Sequence, residues 1–169
     1  MAYTTIDNPE LYFQVQLYAG NGAADNAITL DGDEDMQPDV VWIKNREGTQ
    51  NHCIFDSVRG VTKVLEISSE AAEATNTDTL DAFQTDGFRV DGDALVNTDG
   101  EGHVAYCWKM GTTSGIATDD GEGSYDITPG AYSFNATAKQ SVIRWDGNSQ
   151  QDSTLPHGLG VAPNFLMCK

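Results

Sequence analysis

The chain has 169 residues, room for one ordinary domain with its own core. Its formal net charge is −17, from 26 acidic against 9 basic residues, a field that repels phosphate backbones and argues against nucleic acid or an anionic membrane surface as partner. With 39% apolar residues and 17 glycines, the composition suits short strands separated by many turns.

Residues 1–5 carry neither a basic start nor an apolar stretch, so no signal peptide is expected. No apolar run approaches the roughly 18 residues of a membrane helix. Strand signals follow at 12–18, 27–30, 40–44, 52–55, 62–67, 87–90, 103–110, 131–135, 141–145 and 164–168, rich in Val, Ile, Tyr, Phe and Trp and bounded by Gly, Asp, Asn and Pro. The run Val40-Val41-Trp42-Ile43 predicts a central strand buried on both sides. In 103–110, Val104, Tyr106 and Trp108 alternate on one face and the small Ala105 and Cys107 on the other, so both faces read as covered. Only 68–75 (SSEAAEAT) has the composition of a helix, two turns capped by Ser68 or Ser69. Alternating strands with almost no helix predict an all-β antiparallel sandwich, its core including Val41, Ile43, Phe55, Phe88, Val104, Tyr106 and Trp108.

The segment 15–44 returns in altered form at 142–169. Tyr18-Ala19-Gly20-Asn21 answers to Trp145-Asp146-Gly147-Asn148, and a constant offset matches Thr29-Leu30 with Thr154-Leu155, Pro38 with Pro163 and Lys44 with Lys169. Self-similarity at fixed spacing marks repeated units. The expected organisation is therefore a sandwich domain with an N-terminal segment over residues 1–138, and the opening strands of a second, incomplete copy over 139–169. Such strands need a cover, from the first domain, from another subunit or from further chain.

Chemistry-bearing motifs are sparse. Asp31, Asp33 and Asp35 stand at alternate positions like the start of a Ca²⁺ loop, but Met36 takes the place where that loop needs Gly and Trp42 the place of its Glu. An acidic turn is the simpler account, with Ca²⁺ the ion if one binds. No GxSxG, HExxH or phosphate-binding loop occurs, and His52, His103 and His157 are far apart in sequence, so no enzyme is expected. Cys53, Cys107 and Cys168 each lie in an apolar run and read as buried reduced thiols, which fits synthesis in a reducing cytoplasm. Tyr18, Tyr125, Tyr132 and Trp145 lie at strand ends or in loops and are the candidate ring surfaces for stacking on a glycan.

The segments Y-A-G-N-G at 18–22, I-T-L at 28–30, P-D-V-V-W-I-K-N-R at 38–46, F-D-S-V-R-G at 55–60, T-D-G-F-R-V at 85–90 and V-A-Y-C-W-K at 104–109 together resemble a family of marine bacteriophage structural and appendage proteins with repeated domains. Tyr106 stands where those proteins usually carry Trp. The resemblance implies a jelly-roll, concanavalin A-like sandwich without catalytic machinery. It also implies a place in the virion, as the particle-proximal part of a tail fibre or similar appendage working as a homo-oligomer with other virion proteins. A lectin-like module binding host surface glycan is the second reading, and a glycan depolymerase the weakest. Independently of any family, Asp56 in FDSVRG is expected to accept amides of the turn at 57–58, pair with Arg59 and leave Gly60 at positive φ.

Overall fold

The computed structural model describes residues 6–119, 121 and 123–169, so the start at 1–5 lies outside the described residues. A 3₁₀ turn, Pro9–Leu11, leads into β1 (Phe13–Ala19), β2 (Asn26–Ile28), β3 (Val40–Asn45), β4 (Cys53–Asp56), β5 (Lys63–Glu66), β6 (Ala74–Thr75), β7 (Leu80–Gln84) and β8 (Gly87–Val90). A single-turn helix α1 (Ala94–Asn97) precedes β9 (Gly102–Trp108), and the hairpin strands β10 (Ala131–Asn135) and β11 (Gln140–Arg144) follow. All strand pairs are antiparallel. One sheet has six strands in the order β1-β9-β3-β4-β5-β6, and a second has three in the order β2-β8-β7. Their facing sides share one core of Val41, Ile43, Phe55, Leu80, Phe88 and Val90, each without solvent exposure, together with Ile28, Met36 and Cys107. The protein is an all-β sandwich.

The strand β3 lies between β9 and β4, the central place its apolar run predicted. The helix expected over 68–75 does not form; bends and turns there end in the two-residue strand β6. Ala and Glu have helical propensity, but so short a segment has no packed face to supply what propensity alone lacks. The strand β7 escaped sequence reading because a bulge interrupts it: Leu80 pairs with Val90 and Ala82 with Arg89, so one extra residue enters. Leu80 and Phe83 both reach the core across that irregularity, which erases the alternation by which a strand is recognised. Likewise, the strand expected at 164–168 is not one; the chain there is irregular.

The strand β9 buries the opposite side from the one its aromatic residues led us to expect. Its core-facing residues are Ala105 and Cys107, both fully buried, whereas Tyr106 is 36% exposed and Val104 and Trp108 are half-buried on the opposite face. Register explains it: Cys107 pairs with Val41 and Ala105 with Ile43, so the small side chains share the inner face with aliphatics of β3. The inner space is already filled by Phe55, Phe88 and Met36, leaving volume for small groups only. The aromatic members of the alternation therefore go outward.

The hairpin β10–β11 covers part of that outer face. Val142 packs against a second apolar cluster of Val40, Ile54 and Met110 with Trp42, Leu65 and Trp108. The Asp39 carboxylate fastens the hairpin, accepting from Ser133 Oγ (3.3 Å), Ser57 Oγ (2.6 Å) and the Met110 amide (2.9 Å). Beyond β11 the chain is irregular but tied down: Thr154 donates twice to Asp126, Leu159 is buried, and Lys169 Nζ reaches the Ser69 carbonyl at 2.6 Å.

Candidate docking face

Strands β1, β3 and β9 each place aromatic or aliphatic side chains on the outer side of the large sheet. Trp42 on β3 pairs in register with Tyr106 on β9, and Phe13 on β1 with Trp108. The rings form one connected group: Phe13–Trp108 centroids are 5.2 Å apart, Trp42–Tyr106 5.7 Å and Tyr106–Trp108 6.3 Å. Such offset and tilted contacts stabilise aromatic pairs beyond simple burial. Trp42 Nε1 donates to His52 Nδ1 at 3.0 Å, so His52 accepts through a neutral ring. Burial, with Lys44 nearby, holds the His52 pKa below its ordinary 6.5. Val15 and Leu17 continue the apolar surface toward the sheet edge, 41% and 56% exposed. Val15, Leu17 and Tyr106 thus form an exposed apolar strip beside the part of the outer face that the hairpin covers.

The sequence-derived candidates fall elsewhere. Tyr18 is a packing residue: its hydroxyl donates to the Val96 carbonyl at 2.6 Å, its ring stacks on His103 at 5.1 Å, and burial raises its pKa well above the ordinary value. Tyr132 is half-buried, contacts Phe134 and accepts the Ile116 amide, and Tyr125 is half-buried in the long loop. Trp145 is exposed and lines a cleft of about 200 Å³ together with Ile54, Arg59, Leu65, Val142 and Met167. The structure does not bring these four rings together. The face that does gather rings was hidden from sequence reading because Trp42 and Trp108 sit inside strong strands, which reads as core.

The acidic turn behaves similarly. Asp31, Asp33 and Asp35 are exposed and do not converge; the turn is held by Gln14 Nε2 donating to the Glu34 carbonyl and by the Asp33 amide donating to Glu10. Among the described residues, the carboxylates that do converge are Asp25, Asp81 and Asp91. A guanidinium already sits there: Arg89 pairs with Asp81 at 2.7 Å and with Asp25 at 3.3 Å. That guanidinium offsets only part of the charge of the three carboxylates, and Asp91 accepts the Asp25 amide at 2.8 Å, so the cluster is already engaged within the fold.

The motif segments have structural explanations. In Y-A-G-N-G, a Cβ at Gly20 would lie 2.1 Å from the Thr98 carbonyl oxygen, and the loop is clamped by the fully buried Asn97. Asn97 Oδ1 accepts from the Asn21 amide (2.8 Å) and Asn26 Nδ2 (2.9 Å), while its Nδ2 donates to Asn21 Oδ1 (3.0 Å) and the Ala23 carbonyl (2.8 Å). In F-D-S-V-R-G, Asp56 accepts the Arg59 amide at 2.8 Å and Arg59 Nε at 2.6 Å, and Gly60 has φ +95°. The corner forms, but the amide captured is that of Arg59, while the Ser57 amide goes to the Asp39 carbonyl. Cys53 and Cys107 are buried free thiols, each pushed up to about 12 by burial; Cys168, expected to be buried, is exposed.

The chain belongs to the family described as a domain of unknown function, DUF7483, whose model matches residues 8–169. Comparison with curated proteins and with solved structures gives no significant match. No helix among the described residues is long and apolar enough to cross a membrane.

Proposed function

We propose that this protein is a bacteriophage virion component, a non-catalytic homo-oligomeric building block in the particle-proximal part of a tail fibre or similar appendage. The observation that carries this reading is the unequal surface. The chain is strongly acidic, yet one sheet face exposes Val15, Leu17 and Tyr106 beside the half-buried Trp42 and Trp108, and the last residues present Phe165 at 80% and Leu166 at 76% exposure. Contiguous exposed apolar surface marks a contact site, and contact with other protein is the use this reading gives it. In this reading the jelly-roll, concanavalin A-like sandwich is a rigid spacer, its outer face and C-terminal segment contact neighbouring virion proteins, and acidic loops keep the assembly soluble.

The test is localisation: mass spectrometry and immunogold labelling of purified particles made from the genome that encodes the chain. Labelling of an appendage is expected. Presence in infected cells with absence from particles would overturn the reading.

A second reading, a lectin-like module for host surface glycan, draws on the rings of Trp42 and Tyr106, since flat aromatic faces bind the apolar faces of sugars. Glycan binding by the purified protein that is lost in Trp42→Ala, whether or not Ca²⁺ is present, would favour it over the structural role.

A further inference from the structure

We infer that β1 is a self-association edge, at which a second copy of this chain adds antiparallel to β1 and joins the two large sheets into one. The inference deepens the homo-oligomeric reading above by naming the surface used. Among the described residues, β1 is a terminal strand hydrogen-bonded only to β9, and its register is unbroken from Phe13 opposite Trp108 to Ala19 opposite Gly102. The Lys109 amide bonds the Tyr12 carbonyl and the Gly20 amide bonds the Glu101 carbonyl, each at 2.9 Å. Alternation along an antiparallel strand then turns the peptide groups of residues 14, 16 and 18 toward β9 and those of Phe13, Val15, Leu17 and Ala19 away from the sheet. Four residues in a row of odd number thus present donors and acceptors along a free edge.

Every other outer edge of the two sheets carries a device that blocks pairing. β6 is two residues long and follows Glu70 and Glu73. β2 is three residues long, next to Asp25. β7 is bulged and carries Asp81. Short, charged or bulged edges are how natural sheets avoid unwanted strand addition. In contrast, β1 reads FQVQLYA: seven residues, no charge, no proline and no bulge.

The strand is also self-complementary. A two-fold axis through Gln16 sets Val15 opposite Leu17 of the second copy and Phe13 opposite Ala19, pairing all four outward residues reciprocally. The same axis brings the two Gln16 side chains face to face. In the single copy, Gln16 Nε2 donates back to the outward carbonyl of Leu17 at 2.9 Å, and its Oε1 is buried without a hydrogen-bond partner. The second copy's Gln16 amide supplies the donor for that oxygen, and its strand supplies the amide for the Leu17 carbonyl. Val15 and Leu17 of both copies then close into one apolar stripe continuous with the aromatic face.

The test is sedimentation equilibrium of the full chain from micromolar to millimolar concentration, beside a Val15→Lys/Leu17→Lys double variant and amide hydrogen exchange. Both substituted side chains are exposed, so the variant is expected to keep the circular dichroism and low-concentration melting temperature of the parent. The parent should reach twice the monomer mass, with exchange at Val15 and Leu17 slowing as concentration rises, and the variant should stay monomeric. A parent that remains monomeric at millimolar concentration overturns both this inference and the homo-oligomeric reading. An oligomer that survives the double substitution, with Val15 and Leu17 amides still exchanging freely, overturns the edge alone and leaves association through another surface.

Discussion

Replacing Asn97 by Ala removes the clamp that shapes the loop between β1 and β2. Four side-chain hydrogen bonds of 2.8–3.0 Å are lost at a site with no solvent exposure. Asn21 and Ala23 lie in an exposed loop and regain water, so part of each bond is recovered in the variant. At a net contribution of about 1 kcal/mol per bond, less this recovery, the expected loss is about 2–4 kcal/mol. For a chain of this size that corresponds to a fall in melting temperature on the order of 10 °C. Asn97→Asp should cost more, because it keeps the acceptor but turns both donors into a charge facing Asn21 Oδ1 and the Ala23 carbonyl. Urea unfolding followed by circular dichroism measures both, with an unchanged m-value as the check that only stability moved. A loss under about 1 kcal/mol for the Ala variant, or an Asp variant as stable as the parent, would refute the clamp.

The two sides of the large sheet should respond differently to truncation: Phe55→Ala, fully buried, is expected to cost about 3–5 kcal/mol and Tyr106→Ala about 1 kcal/mol or less, and equal losses would restore the aromatic face to the core. Thiol titration of native protein should detect Cys168 rapidly and Cys53 and Cys107 only after unfolding, when all three react; a shortfall in denaturant would reveal a disulfide. The His52 pKa lies below its unfolded value, so the unfolded chain binds more protons below about pH 6.5, and the stability this residue contributes above that pH is lost as pH falls toward the folded value. His52→Asn keeps an acceptor for Trp42 and does not titrate, so its melting temperature should fall less than the parent's between about pH 7 and pH 5; parallel curves would show that His52 is not coupled to folding.

Local architecture was legible from the residues alone wherever near neighbours decide it. Turn residues and β-branched runs located most of the strands, the apolar run of β3 placed it centrally, and FDSVRG announced its own corner because Asp56, Arg59 and Gly60 satisfy one another within six residues. What the residues alone could not determine were the choices that depend on which surface meets which. Alternation in β9 separated large from small residues correctly, but the side that is buried depends on the volume left by Phe55, Phe88 and Met36, contributed from elsewhere in the chain. The same dependence misplaced the candidate site: Tyr18 has the sequence context of a strand-end ring, yet tertiary packing buries it against His103 and Val96, while Trp42 and Tyr106, which read as core, face outward. That β1 is a terminal strand among the described residues is likewise legible only once the strand order is known, because an uncharged strand becomes an edge only through its place in the sheet. Local propensity is set by a residue and its near neighbours, whereas burial, partnership and exposure are set by the sum of contacts distant in sequence.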